Sequence, residues 1–400
     1  MKRKRFFAIL IAVVIIAVVG IAIWQLTRPK FSTLAQELNF IVTDTVKSKG
    51  HIKNCALYVK TGDDSFFWSG SAGIADPINQ VSMTAETPVY LASITKLYTA
   101  TAIMKLYEDG ALSLNDPMSK YLPPDLIRGI QVYQGHDYSN EITIAQLLSH
   151  TSGIPDYYSD KAKDGSTMFE IFAADPTRRW TVDQMIVRAR DDMTPQFKPG
   201  AEASYSDTNF QLLGKVIEAV TGKPLQVVFD DFFFQPLGLK HTWLVGLSDP
   251  QIVPTHAIAH VYSNNTDTTS IRSNGAYWAD GGIVSTLEDA VTFLQALNNG
   301  KIINSDTLQL MHNNWHQLQG LPFQYGYGTM KLEVPSAINW VAQVPPVWGH
   351  TGSLGSFLYY SPNQDLYMAG TIDQTEDRIT PIMLMIKVMK AFQNFEPKLQ

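Results

Sequence analysis

Ser93-Ile94-Thr95-Lys96-Leu97-Tyr98-Thr99-Ala100-Thr101-Ala102-Ile103-Met104-Lys105-Leu106 is the stretch on which the fold turns. Its apolar positions run nearly all round a helix, so the helix is a buried one, and Asp109-Gly110 stops it. Upstream, residues 55–60 and 66–69 are short, partly alternating apolar runs separated by Gly62-Asp63-Asp64, a hairpin signal. Far downstream, residues 328–334, 346–349, 356–360 and 366–372 read as strands ahead of an apolar helix over 379–392. Between these ends the pattern is mostly helical, over 142–148, over 209–220 up to Thr221-Gly222, and over 287–297 up to Asn298-Asn299-Gly300. Strands at both ends with helices in the middle predict one sheet made from the two termini, about 35–92 and 320–395, with a helical region of about 93–310 inserted between its halves.

With 400 residues, 45% hydrophobic and 17% charged, the chain can bury a large core, which excludes disorder and coiled coil. The lone Cys55 excludes an internal disulfide, a cysteine-rich zinc site and a Cys-x-x-Cys redox pair. Six of the 31 basic residues lie in residues 1–30, which hold no acid, so the remaining 25 face 37 acidic residues at net −12 and a nucleic-acid partner is unexpected. Lys2-Arg3-Lys4-Arg5 precedes an uncharged run of 19 residues, 6–24. Such a run matches the bilayer's hydrocarbon thickness and a basic head stays cytoplasmic. Residues 1–30 are therefore expected to be a basic head and single-pass signal anchor at the cell membrane, and residues 31–400 one extracytoplasmic domain. Cleavage at Gly20-Ile21-Ala22 as a signal peptide is the competing reading.

Three residues apart on a helix, Ser93 and Lys96 share a face, so the amine can reach the hydroxyl. A hydroxyl is a weak nucleophile until a base removes its proton, and a desolvated lysine can lose its charge to become that base. Taken alone the pattern also describes an ordinary N-cap serine with a snorkelling lysine.

Further stretches add to it: Phe197-Lys198-Pro199-Gly200, Tyr205-Ser206-Asp207-Thr208-Asn209, and Trp348-Gly349-His350-Thr351-Gly352-Ser353. In this order and spacing they resemble the serine β-lactamase and penicillin-binding family, in its class C, DD-peptidase and esterase branch. Leu147-Leu148-Ser149-His150-Thr151-Ser152-Gly153, Gln235-Pro236-Leu237-Gly238-Leu239 and Gly281-Gly282-Ile283-Val284-Ser285-Thr286 look like the same branch, and the likeness covers roughly residues 35–395. It implies an α+β, β-lactamase/transpeptidase-like fold with an antiparallel sheet, and an acyl-enzyme mechanism without metal or organic cofactor. Ser93 would be the acylated nucleophile and Lys96 its proton-transfer partner. Tyr205 would shuttle the proton, its phenol pKa lowered by the nearby Lys96 ammonium. The amides of Ser93 and Ser353 would form the oxyanion hole. His350, Thr351 and Gly352 would line the cleft, Gly352 being small enough for substrate backbone to approach.

Two positions depart from the family pattern. Asp207 stands where the motif usually has Asn, and an ionised Asp can only accept hydrogen bonds. That disfavours N-acylated substrates and favours a free ammonium near the scissile carbonyl, as in a D-alanyl ester on a teichoic acid. The simpler alternative makes Asp207 merely the cap of the helix that follows, against which Thr208 and Gln211 already offer a capping box there. His350 replaces the lysine of Lys-Thr-Gly, removing a fixed charge for a substrate carboxylate. The expected activity is hydrolysis, through an acyl-enzyme, of D-alanyl groups on a cell-envelope polymer, teichoic acid or peptidoglycan stem peptide, and first of all of D-alanyl esters on teichoic acids. Competing readings are a DD-carboxypeptidase or weak β-lactamase and, outside enzymes, a penicillin-binding sensor or a wall-binding protein. His256-x-x-x-His260 and His312-x-x-x-His316 have a spacing compatible with a metal on a helix face but lack further ligands. His150 reads as structural, and Trp348 as a cleft or core aromatic.

Overall fold

A computed structural model describes residues 27–273, 275–319, 323–334, 339 and 343–399. Helix α1 (Leu34–Lys47), started by Thr33 accepting from the Gln36 amide, leads into the hairpin β1 (Asn54–Thr61) and β2 (Phe67–Asp76), then the short β3 (Val81–Ser82). Next come α2 (Thr95–Glu108), α3 (Asp207–Thr221) and α4 (Leu287–Asn298). The chain returns through β4 (His316–Gln317), β5 (Gln324–Tyr325), β6 (Met330–Leu332), β7 (Val347–Thr351), β8 (Phe357–Ser361), β9 (Leu366–Thr371) and the last helix α5 (Thr380–Leu399). The nine strands form one antiparallel sheet in the order β4-β5-β6-β7-β8-β9-β1-β2-β3, closed across the two chain ends by β1 pairing with β9. The sheet joins the termini, as the strand signals at both ends of the sequence predict.

Strand β1 is buried on both faces, and its side chains divide by alternation. Cys55 lies on the side of Lys387 of α5, whereas Lys60 reaches Gln295 of α4 from the other side (3.1 Å). Helices α1 and α5 cover one face, and α4 lies on the other. Every α2 residue from Thr95 to Met104 is buried, and Tyr98 stacks on Phe293 of α4 at 3.6 Å between centroids. A smaller sheet fixes the entry to α2: Tyr90 pairs with Val284, and the Leu91 N–H donates to Ile283 O (2.9 Å). This pairing sets Ser93 against the 278–282 loop. The same loop sits on α3 at Gly214, where an added Cβ would lie 2.5 Å from the Ala279 Cβ and 2.6 Å from the Trp278 ring.

The membrane location expected from residues 6–24 is corrected. Among the described residues no helix is long and apolar enough to cross a membrane, and the run that suggested an anchor lies outside the described residues.

Candidate active site

Ser93 lies in a 3-10 turn, Ala92–Ile94, immediately before α2. Ala92 takes a left-handed φ of 49°, a conformation that costs a residue with a Cβ of order 1–3 kcal/mol and that turns the chain sharply before Ser93. The turn is braced from the sheet, where the Ser356 hydroxyl donates to Leu91 O (3.0 Å) and the Gly352 N–H to Ser356 O (2.7 Å). A Cβ on Gly352 would meet Ser356 Oγ at 2.0 Å and Leu91 O at 2.5 Å. The missing side chain thus lets the 352–356 turn close on the 91–94 turn, which differs from the expected role of admitting substrate backbone.

Lys96 is fully buried. Its Nζ donates to Asp280 O (2.6 Å) and Ser93 Oγ (3.3 Å), and pairs with Asp207 Oδ1 at 2.5 Å. Burial pulls the ammonium's pKa down, but the charges of Asp207 and Asp280 outweigh it and hold the pKa above the ordinary lysine value. The ammonium lies 5.0 Å from the centroid of the Tyr205 ring. Here the sequence expectation is reversed: burial first, then the charge of Asp207, push the Tyr205 phenol well above its ordinary pKa, with only the Ser93 contact opposing them. Lys96 and Tyr205 therefore both hold their protons at neutral pH. The shortest route for a proton off Lys96 is to Asp207 Oδ1.

Asp207 begins α3, but the expected capping box is absent. The Thr208 hydroxyl donates to Pro155 O (2.7 Å) and accepts from the Tyr157 N–H (3.0 Å), while Gln211 Nε2 donates to Ala276 O (2.8 Å). With the helix start tied to the 155–157 loop in this way, the Asp207 carboxylate is available to Lys96.

Two further carboxyls, Asp156 and Asp280, belong to the cluster and carry no signal in the motif spacing. Asp280 precedes Gly281-Gly282, and its oxygens accept from the Tyr157 hydroxyl (2.7 Å) and the Trp278 N–H (3.0 Å). Burial and then the Asp207 charge raise its carboxyl to about 6, against the opposing pull of Lys96. Asp156 accepts from the Asp207 and Tyr158 amides (3.2 and 3.1 Å), and burial, then Asp207, lifts it well above the carboxylate range.

On the sheet side, His350 is fully buried. Its Nδ1 faces Thr351 O (2.7 Å), which can only accept, so Nε2 carries no proton and accepts from the Tyr325 hydroxyl (3.0 Å). Burial and the Lys96 charge lower its pKa to about 3, so the ring is neutral. Thr351 donates to Met330 Sδ (3.2 Å). Of the four residues 350–353, only Ser353 lines the pocket.

His150, left-handed at φ 57°, accepts on Nδ1 from the Ser206 N–H (3.2 Å), and its ring packs 4.4 Å from those of Tyr205 and Tyr325. It supports the tyrosines. Trp348 is a core aromatic against His312 (4.2 Å) and Tyr360 (6.1 Å). The His-x-x-x-His pairs share no helix face: His256 and His260 lie outside any helix, and His312 is helical while His316 is in β4.

The pocket beside Ser93 is lined by Tyr90, Tyr158, Asp207, Tyr277, Asp280 and Ser353, with the backbone of 92 and 281. A buried amine on a serine hydroxyl with a phenol alongside suits acyl transfer. Of characterised relatives, "D-alanyl-D-alanine-carboxypeptidase/endopeptidase AmpH" of Escherichia coli (strain K12) is 27% identical over 374 residues, covering 90% of this chain and 88% of its own. A D-stereospecific amidohydrolase from Streptomyces sp. superposes with a TM-score of 0.68 at 29% identity, covering 88% of this chain and 98% of that one. The D-amino acid amidase of Ochrobactrum anthropi SV3 shares the fold, with a TM-score of 0.72 at 22% identity and coverage of 91% and 99%. The family model described as Beta-lactamase matches residues 44–379. Because that match spans most of the chain and runs through every element that builds the pocket, the chain belongs to the beta-lactamase family, as a serine hydrolase of its β-lactamase/DD-peptidase type.

Proposed function

We propose that this hydrolase acts through an acyl-enzyme on D-alanyl groups of the cell envelope, with D-alanyl esters of teichoic acids as its preferred substrates. Ser93 Oγ attacks the ester carbonyl as its proton passes to Lys96 and Lys96 gives one of its own to Asp207 Oδ1. Tyr205 then donates its hydroxyl proton to the departing polyol alkoxide and is reprotonated from Lys96, which recovers its proton from Asp207. Water then takes the place of the alcohol, and D-alanine leaves with Ser93 restored. The amides of Ser93 and Ser353 would hold the oxyanion in both halves.

The observation carrying this reading is the charge of the pocket. Asp207 and Asp280 line it, and none of its lining residues is cationic, so it suits a substrate with a free ammonium better than one with a carboxylate. The relative named as a D-alanyl-D-alanine carboxypeptidase supports a second reading, cleavage of a peptidoglycan stem peptide. That substrate ends in a carboxylate, for which the neutral, buried His350 supplies no countercharge. Incubating the purified protein with alanylated teichoic acid and with a D-Ala-D-Ala muropeptide, and measuring released D-alanine, separates the two. Faster release from the muropeptide would reverse the assignment.

A further inference from the structure

Asp207 was expected from sequence to meet the substrate's ammonium, yet one of its oxygens is committed to Lys96 at 2.5 Å. The other carboxylate of the pocket has no such cation on it. Asp280 is held by the Tyr157 hydroxyl on one oxygen and the Trp278 amide on the other, which fixes its plane and leaves acceptor capacity on both oxygens. Its own backbone carbonyl takes the Lys96 ammonium, so the carboxylate is placed within one residue of the catalytic amine. Two partly exposed rings, Tyr158 and Tyr277, stand edge to face at 5.9 Å beside it on the same pocket wall. These residues line a small pocket beside Ser93, with a cavity volume of about 20 Å³ and one side open to solvent.

We propose that Asp280, with the faces of Tyr158 and Tyr277, forms the subsite that reads the free α-ammonium of the acyl group, and so sets the preference for unacylated aminoacyl substrates. The assignment rests on the reading of this protein as a D-alanyl hydrolase and names the residues that decide its substrate. A carboxylate and aromatic faces attract a primary ammonium together, by a charge-assisted hydrogen bond and by cation–π contact. Asp207 keeps Lys96 charged, while Asp280 takes the substrate's charge.

The test compares kcat/KM for a D-alanyl ester with that for its N-acetyl counterpart. In Asp280→Asn the ratio of free-amine to N-acetyl ester should fall about 10- to 100-fold, the worth of a charge-assisted hydrogen bond. In Tyr277→Leu it should fall about 3- to 10-fold, as expected of a cation–π contact. Equal losses on both esters would mean that Asp280 only supports the Lys96 loop, and would overturn the assignment. Should Asp280→Asn fail to fold, inhibition of the unaltered protein decides, with a generic 4-nitrophenyl ester as reporter. D-alaninol should inhibit roughly 10-fold more strongly than 1,2-propanediol, which puts a neutral hydroxyl in place of the ammonium. Equal inhibition would overturn the subsite. Since that assay needs no D-alanyl turnover, failure of the protein to hydrolyse any D-alanyl ester would count against the proposed function and leave the subsite's own result readable.

Discussion

The two sides of the cleft are built on opposite electrostatic plans. The helical side buries one ammonium, Lys96, among three carboxyls, Asp156, Asp207 and Asp280, tied to one another through the 155–158 and 276–280 loops. The sheet side presents β7 and β5, where His350 and Tyr325 satisfy each other and carry no charge. A family pattern with a lysine at position 350 would place a cation on the sheet side, so the exchange to histidine moves all of the cleft's charge to its helical side. On the proposed function, charge placed this way favours a substrate ammonium over a terminal carboxylate.

The largest expected effect lies on neither side but between them. Ser93→Ala should abolish both turnover and covalent labelling by a fluorophosphonate or labelled penicillin, a loss of about 10³-fold or more. An adduct mapped to another serine in the unaltered protein would show that the nucleophile is elsewhere.

Next come Lys96 and Tyr205, the proposed proton carriers, which the comparison separates. Lys96→Ala and Tyr205→Phe should each lower kcat by about 10²-fold or more. Only the first strips a countercharge from buried carboxylates, so only Lys96→Ala should also cost about 3–5 kcal/mol of stability in denaturant unfolding. Matching stability losses for both variants would mean that the ion cluster contributes nothing specific to the fold.

Asp207→Asn removes the charge that holds the Lys96 pKa up. The limb of the kcat/KM profile reporting deprotonation of Lys96 should therefore move to lower pH, and an unmoved limb would assign the countercharge to Asp280 alone.

A smaller effect tests the acid side of the profile. The Asp280 carboxyl, raised to about 6, binds an ammonium in its ionised form, so kcat/KM for a free-amine ester should hold above that pH and fall as pH drops through it. Lys96, Asp207 and the tyrosines Tyr157, Tyr158, Tyr205 and Tyr277 are the titratable groups around Asp280, and both histidines of the cleft are neutral throughout this range, since burial holds His350 at about 3 and His150 well below its ordinary value. Asp280→Asn should abolish this limb. If the limb survives in that variant, it belongs to another group.

The smallest change is expected on the sheet side. His350→Gln should cost about 1 kcal/mol through its hydrogen bonds to Tyr325 and Thr351, and should lower kcat/KM equally for ester and muropeptide substrates. A selective loss on the muropeptide would restore His350 as a substrate contact.

Much of the fold can be read locally. A partly alternating run at 55–60 and a short apolar run at 366–372 mark strands, and the apolar surface of 94–106 marks a helix that has to be buried. Ser93, Lys96 and Tyr205 are legible because an ordered set of short motifs surrounds them. His350 shows the limit of such reading. It neighbours Ser353 in sequence, but strand alternation points its ring into the core beside Tyr325.

The sequence by itself determined which residue types were present and their order: a serine and a lysine one helical turn apart, a downstream tyrosine, an acid in place of an amide, and a histidine in place of a lysine. Only the tertiary structure decided their protonation and partners. It brought Asp280 to Lys96 across 184 positions of chain, set Asp207 against the same ammonium, and buried the Tyr205 phenol beside a negative charge, so that its pKa rises instead of falling. Proximity in sequence fixes what a side chain can donate or accept, whereas its charge depends on desolvation and on neighbours supplied by distant segments, and those exist only once the sheet has closed the chain ends together.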